Sequence, residues 1–251
     1  MNTKALRQFS YGVYLVTARG EDGRATGCVV NTGMQLTSDP YRVMVAVNVD
    51  NATCGAIRHA GRFALTTLTT QADMGLIGTF GFHSSTDVDK FADRDVRETA
   101  HGVPYVADAA GAVVDCRVTD ELELGTHVVF VGAVEDAEVF DAAAEPLTYA
   151  YYHGVLKGTT PPKASAFIAE DDPAEATAAS EDTAAGGAQT RGDEEKETAM
   201  SDEKAEGAQP QLHHFRCNLC GYVYETTDEE LSEDFHCPLC GAAASMFTKV
   251  D

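Results

Sequence analysis

The chain has 251 residues, and its 40 acidic and 18 basic side chains give a formal net charge of −22. Nucleic acids and anionic membranes are excluded as partner classes, because both are bound by clusters of Lys and Arg that this sequence lacks. No apolar run approaches the roughly 20 residues that cross a bilayer, and the N-terminus has no signal-peptide pattern. We expect a soluble, cytoplasmic protein of one or two domains.

Residues 1–168 are predicted to form one strand-rich domain. Strands are expected at residues 13–17, 25–34 and 42–49, and Gly-Glu-Asp-Gly at 20–23 is typical of a hairpin turn. The segment at 42–49, RVMVAVNV, is apolar on both faces, which indicates a strand in the interior of a sheet or barrel.

The rest of this domain adds short helices and further strands. Residues 51–60 are a predicted helix, with Asn51 as the N-cap and Gly61 at the end. Other strands are expected at 62–68, 112–119 and 127–140, and other short helices at 6–11 and 71–77. Six or seven strands with short helices make a mainly β domain, and a closed barrel is favoured over a parallel sheet.

An acidic segment follows this domain. Residues 170–206 contain 13 acidic and 3 basic residues, and Met200 is the one apolar residue larger than Ala. Such a composition buries too little apolar surface to offset the entropy of ordering. A helix is the alternative, because Ala and Glu favour helices, but Gly186 and Gly187 interrupt it. We therefore expect a disordered acidic linker at 169–211.

The last segment, residues 212–251, carries four of the seven cysteines in two C-x-x-C pairs: Cys217, Cys220, Cys237 and Cys240. Each pair is followed by Gly, which lets the backbone curl around the sulfur, and two such pairs place four thiolates around one metal ion. So short a segment needs a metal to fold. The other three cysteines are expected to be buried and to pack like small apolar side chains: Cys28, Cys54 and Cys116.

The donor set of four sulfurs suits zinc and iron equally well. The phrases CGYVYE and DFHCPLCGA, followed by Met246 and Phe247, resemble rubredoxin. This resemblance implies a small domain in which one iron, bound by the four cysteines, transfers a single electron. It also implies an aromatic core of Tyr222, Tyr224, Phe235 and Phe247. A structural zinc ribbon is the alternative.

No GxGxxG or P-loop fingerprint occurs in residues 1–168. However, the segment that begins GCVVNTGMQLTSDPYRVMVAVNVDN, with GTFGFHSSTDVDKF, GTHVVFVGAVEDA and YYHGVLKGTTPPKA after it, resembles the flavin reductase family over residues 9–164. The resemblance implies a split β-barrel that binds FMN, uses NAD(P)H as substrate and forms a homodimer.

Polar side chains in these segments suit an FMN site. Asn51 and Thr53 open a helix, where unpaired N–H groups favour a phosphate. The full set of candidate FMN-binding residues is Asn31, Thr32, Gln35, Thr37, Asn48, Asn51, Thr53, Ser84, Ser85 and Lys90. For each of them the alternative is that the side chain stabilises a turn or caps a helix. His127 matches the family motif beside the nicotinamide and is the candidate catalytic residue; a surface histidine is the alternative.

The two resemblances together imply a fused class called high-molecular-weight rubredoxins. Their function is NAD(P)H-dependent electron transfer from FMN to the four-cysteine iron and on to a flavodiiron protein that reduces oxygen or nitric oxide. One alternative is a flavin reductase that supplies reduced FMN to a monooxygenase and has a structural zinc ribbon. A second is a non-enzymatic FMN-binding redox sensor. Iron content and NAD(P)H turnover distinguish the three.

Overall fold

The computed structural model describes residues 2–167, 212–217, 222–232, 234–237 and 242–250. We call residues 2–167 the body and the described residues from 212 to 250 the tail. The predicted linker at 169–211 lies outside the described residues. No helix in the described part of the chain has the length and apolarity that a membrane-spanning helix needs.

The body is mainly β, as predicted. Its strands are β1 (Tyr14–Arg19), β2 (Ala25–Val30), β3 (Gly33–Ser38), β4 (Tyr41–Asn48), β5 (Arg62–Leu68), β6 (Val96–Glu98), β7 (Pro104–Val106), β8 (Ala110–Glu123) and β9 (His127–Val139). Its helices are a 3-10 helix (Thr3–Gln8), α1 (Ala52–Ala60), α2 (Met74–Phe82) and α3 (Tyr149–Gly154). Seven strands form one antiparallel sheet in the order β2-β1-β5-β8-β9-β4-β3, and β6 pairs with β7 in a separate hairpin.

The two edge strands of the sheet, β2 and β3, are consecutive in the chain. The single strand predicted at 25–34 is interrupted at Asn31 and Thr32, because β2 pairs with β1 whereas β3 pairs with β4. The Thr32 carbonyl accepts a hydrogen bond from Ala46 N of β4 at 3.2 Å. The chain therefore crosses from one edge of the sheet to the other at these residues, and it leaves their side chains at the end of the barrel.

Helix α1 has the caps predicted from the sequence. The Asn51 side chain accepts a hydrogen bond from Thr53 N at 3.0 Å. Gly61 adopts a left-handed conformation with φ of 64°, and its N–H donates to Ile57 O at 2.8 Å. Glycine is favoured in this left-handed conformation because it has no Cβ. These caps fix the start of α1 at Ala52, four residues after β4 ends at Asn48.

Helix α2 lies further along the chain than the predicted helix at 71–77. It begins after Asp73, whose side chain accepts a hydrogen bond from Leu76 N at 2.6 Å. The helix is apolar almost all round, so the sequence has no periodicity that marks its bounds. The predicted helix at 6–11 is a 3-10 helix at Thr3–Gln8. Helix α3 and the β6–β7 hairpin were not predicted, because both are very short.

The body has a continuous apolar core inside the sheet. Ile57, Phe63 and Phe130 are fully buried there. Three cysteines are also buried, as predicted: Cys28, Cys54 and Cys116. No disulfide joins any described cysteine. A second cluster beneath α2 and α3 contains Leu76, Phe80 and other apolar side chains.

The tail is a small antiparallel sheet of three strands. They are β10 (His213–Cys217), β11 (Val223–Thr226) and β12 (Phe247–Lys249), in the order β11-β10-β12. Phe235 contacts Tyr224 and Phe247, with ring centroids 4.5 and 5.3 Å away. Tyr222 packs beside the cysteines instead. Phe235 therefore contacts two of the other three predicted aromatic residues directly.

Candidate functional site

Four of the predicted site residues lie where strands of the sheet end. Asn31 and Thr32 follow β2, Asn48 ends β4, and His127 begins β9. Asn48 and His127 are partners in the β4–β9 register. A segment that follows α3, residues 161–167, contacts the same group of residues. We call this segment the strap and the four residues the polar cluster.

The strap is joined to this end of the barrel through Ser165 and Lys163. Ser165 Oγ donates to Asn31 Oδ1 at 2.6 Å and lies 2.9 Å from Thr32 Oγ1. Asn48 Nδ2 donates to the Lys163 carbonyl at 3.1 Å, and Lys163 Nζ pairs with Asp50 Oδ2 at 3.0 Å. The polar cluster is thus covered by the last residues of the body.

His127 is half-buried beneath the strap. Burial lowers the pKa of its imidazole from the usual value, and a hydrogen bond to the Lys163 main chain opposes this shift. Its Nδ1 lies 2.9 Å from the Thr126 hydroxyl. A histidine with a lowered pKa is neutral at pH 7, so one ring nitrogen donates a hydrogen bond and the other accepts one.

The start of α1 lies next to the polar cluster. Asn51 N donates to Asn48 O at 3.0 Å, and the Asn48 side-chain oxygen accepts from Asp50 N at 2.9 Å. This tight turn places the positive end of the α1 dipole beside Asn48. Thr53 is fully buried, and its hydroxyl interacts with Cys28 in the core. Burial raises the pKa of the Cys28 thiol to about 11.

Two predicted site residues on β3 bond within their own hairpin. Gln35 Nε2 donates to Thr37 O at 3.1 Å, and Thr37 Oγ1 donates to Pro40 O at 2.5 Å. Both side chains are exposed at the edge of the sheet. The structure does not bring them into contact with the polar cluster.

Of the three predicted residues after α2, Ser85 and Lys90 contact Gly27 of β2. Ser85 Oγ accepts a hydrogen bond from Gly27 N at 3.3 Å, whereas Ser84 Oγ bonds to Thr86 Oγ1 at 2.7 Å. Lys90 is buried, and its Nζ donates to Gly27 O at 2.9 Å and to Phe80 O at 3.3 Å. Burial lowers the Lys90 pKa to about 8. Its ammonium group therefore joins α2 to β2.

Sequence reasoning assigned no role to Lys163 and Ser165. The Pro161-Pro162 pair indicates an extended segment after α3, but it does not indicate which strands this segment crosses. The hydrogen bond between Ser165 and Asn31 joins residues 134 positions apart. A contact over such a distance has no local sequence signal.

Two cysteine loops in the tail close in the same way. Cys217 N donates to Tyr222 O at 2.8 Å, and Cys237 N donates to Ala242 O at 2.7 Å. Both cysteines are buried in one cluster with Ala242. The other two predicted ligands, Cys220 and Cys240, lie outside the described residues, and the described residues alone contain no group of three metal-ligating side chains.

Two solved structures share the fold of the body. Nitrilotriacetate monooxygenase component B from Mycobacterium thermoresistibile matches with a TM-score of 0.52 and 28% identity, over 58% of this chain and 79% of that chain. NADH:FAD oxidoreductase from Streptomyces globisporus matches with a TM-score of 0.52 and 26% identity, over 59% of this chain and 88% of that chain. The fold and the comparisons define the class of protein as an oxidoreductase of the flavin reductase type.

The chain belongs to the flavin reductase-like family, whose domain model matches residues 6–159. It is 34% identical to high molecular weight rubredoxin from Moorella thermoacetica over 263 aligned positions, which cover 100% of both chains. It is 40% identical to ferric-chelate reductase (NAD(P)H) from Archaeoglobus fulgidus over 67% of this chain and 98% of that protein. The resemblance to flavin reductases and to the fused rubredoxins is therefore confirmed.

Proposed function

We propose that this enzyme takes electrons from NAD(P)H at an FMN site in the body and passes them to an iron bound by cysteines in the tail. The ligands are Cys217, Cys220, Cys237 and Cys240. The final acceptor is a separate protein, such as a flavodiiron protein that reduces oxygen or nitric oxide. The observation that carries this proposal is the presence of a flavin reductase-like body and two closed cysteine loops in one chain.

The polar cluster supports FMN binding through an unpaired buried group. Asn31 is 7% exposed, and its Nδ2 has no hydrogen-bond partner among the described residues. A buried donor of this kind suits an acceptor atom of a ligand. Bound FMN supplies the exchange between a two-electron donor and a one-electron acceptor. Within the polar cluster, Asn31, Thr32 and Asn48 would hold it.

Asn51 and Thr53 at the start of α1 are also proposed to contribute to the FMN site. Their position at the positive end of a nine-residue helix suits the FMN phosphate. The roles of five other residues as FMN ligands remain predictions: Gln35, Thr37, Ser84, Ser85 and Lys90. For Lys90 the contact requires a rearrangement, because its Nζ is bonded to two carbonyls.

His127 is proposed to position the nicotinamide. Its neutral imidazole can hydrogen-bond the carboxamide of the substrate without bringing a second positive charge to an oxidised nicotinamide. We expect His127→Ala to slow flavin reduction by NAD(P)H in stopped-flow experiments and to leave FMN affinity nearly unchanged. His59→Ala, at an exposed position on α1, is the control. Equal reduction rates in His127→Ala and the wild type would make the residue structural.

The tail is proposed to hold a metal for reasons of donor chemistry and position, and the similarity to high molecular weight rubredoxin favours iron. Thiolates from two closed loops suit a tetrahedral metal ion. Met74 and Phe82 of α2 pack against the cluster that contains Cys217 and Cys237. This contact brings the proposed metal end of the tail against the body, next to the residues that follow α2.

A homodimer is part of the proposal because the body exposes apolar side chains at two places on its sheet. One lies on the β3–β4 hairpin and includes Met34 and Tyr41, and the other lies on the β8–β9 hairpin and includes Leu122 and Leu124. Exposed apolar surface of this kind is typical of a contact between subunits. We expect light scattering to give twice the mass of one chain.

A second candidate function is the supply of reduced flavin to a monooxygenase, with zinc in the tail. The observation that favours it is similarity to a relative named as the reductase component of a 4-nitrophenol monooxygenase from Rhodococcus opacus, which is 37% identical over 56% of this chain and 71% of that protein. In this case the body would release FMN after each turnover, and the tail would have no redox role.

Metal analysis and the visible spectrum of the purified protein distinguish the two candidates. Electron transfer through the tail requires one iron per chain and an Fe–thiolate absorption that bleaches when NAD(P)H is added without oxygen. One zinc per chain, in protein produced with ample iron, would contradict this proposal and favour the second candidate.

A further inference from the structure

The chain is fixed just before the strap and again at Ser165 within it, so the strap is a defined part of the structure. Upstream, Tyr152 Oη donates to Thr159 O at 2.9 Å, and the hydroxyls of Tyr149 and Thr160 are 2.5 Å apart. Downstream, the strap reaches Asn31 and Thr32 through Ser165. The hydroxyl of Ser165 is therefore held against two predicted flavin-binding residues.

The contacts of Asn31 determine which end of its amide is unpaired. Its Oδ1 accepts hydrogen bonds from Ser165 Oγ at 2.6 Å and from Thr32 Oγ1 at 3.2 Å. A distance of 2.6 Å suits an O–H···O bond and is shorter than the usual range for N–H···O. The amide oxygen therefore faces Ser165, and the amide nitrogen is directed elsewhere.

The amide nitrogen of Asn31 is buried and has no partner among the described residues. A buried donor without a partner destabilises the protein, and a ligand acceptor would remove that cost. Asn48 differs, because its oxygen accepts from Asp50 N and its nitrogen donates to Lys163 O. Both ends of the Asn48 amide are thus bonded to protein, whereas Asn31 keeps a donor for a ligand.

We propose that Ser165 is a positioning residue of the flavin site, which holds the Asn31 amide so that Nδ2 donates to an acceptor atom of the flavin ring. This inference rests on the proposed function, since it takes the ligand to be FMN. The ring carries carbonyl oxygens and unprotonated nitrogens that accept hydrogen bonds. Asn48 and Lys163 attach the strap to the barrel and keep Ser165 in place.

The test is titration of the full-length, flavin-free protein with FMN. We expect Ser165→Ala to weaken FMN binding about tenfold, as for the loss of one oriented hydrogen bond, and to shift the visible absorption bands of bound FMN. Ser165→Thr keeps a hydroxyl and should restore both. Ser10→Ala removes an exposed hydroxyl outside the strap and the polar cluster, and it should leave both unchanged.

A double-mutant cycle separates positioning from a general loss of folding. If Ser165 acts through Asn31, the double variant Asn31→Ala, Ser165→Ala should bind FMN no more weakly than Asn31→Ala alone. Additive losses, or wild-type affinity and spectrum in Ser165→Ala, would overturn the inference. A wild-type protein that binds no FMN would overturn the proposed function as well, whereas zinc in the tail would affect only the electron-transfer proposal.

Discussion

The body and the tail reach a folded state by different means. Large apolar side chains such as Phe63, Phe130 and Ile57 are fully buried in the body. In the tail, the described buried residues include Cys217 and Cys237, which are proposed metal ligands. The body can therefore fold on apolar burial alone, whereas the proposed metal would be part of the structure of the tail.

The largest expected effect comes from removing a ligand in the tail. Cys237→Ser should release the metal and unfold the tail, because the segment has little other core to replace it. The thermal transition of the body should stay in place. The readouts are metal content, the visible spectrum and calorimetry.

The matched control is a buried cysteine of the body. Cys116 is fully buried in the core, and Cys116→Ala should lower the stability of the body while one metal per chain is retained. If Cys237→Ser keeps a full complement of metal, the description of the tail as a metal-dependent fold is wrong.

The next effect concerns the core of the body. Phe130 is fully buried, and Phe130→Ala should lower the free energy of unfolding by about 3–5 kcal/mol. Denaturation followed by near-UV circular dichroism measures this loss. The metal absorption of the tail should persist after the body has unfolded. Loss of both signals in one transition would show that the two regions unfold together.

The smallest effect is a pH dependence that belongs to the body. Lys90 has a folded-state pKa of about 8, below its usual value. The unfolded state therefore binds more protons between pH 8 and 10.5, and Lys90 should make wild-type stability rise with pH in that window. The rise relative to Lys90→Met should be at most on the order of 3 kcal/mol.

The tail should lose its metal towards acid pH instead, because protons compete for thiolates.

Denaturant titrations of the wild type and Lys90→Met at pH 7.5 and pH 10 measure this difference. Lys163→Met is the control, because Lys163 is exposed on the strap. A constant stability difference between the wild type and Lys90→Met across the window would contradict the lowered pKa of Lys90.

Local chemistry made part of the fold predictable from the sequence. Helix α1 was predicted with its caps, because Asn51 and Gly61 act on their immediate neighbours. The strand at Arg62–Leu68 was predicted with its correct bounds for a similar reason, since Gly61 ends the helix before it. Helix α2 was displaced because an evenly apolar helix gives no periodic signal.

The site was less predictable than the fold, because its contacts are distant in sequence. Asn31 and Thr32 were predicted from their chemistry, but the bond from Ser165 depends on the path of the chain after α3. Lys90 was predicted to be an FMN-binding residue. Its hydrogen bonds to Gly27 and Phe80 depend on how α2 packs on β2, which the sequence does not indicate.

Stopped-flow reduction of the iron absorption by NAD(P)H without oxygen measures whether electrons pass from the body to the tail of the same chain. Because both centres are in one chain, the rate should be first-order and unchanged over a tenfold range of protein concentration. A rate that rises in proportion to protein concentration, or a reduced flavin beside an iron band that does not bleach, would contradict the account.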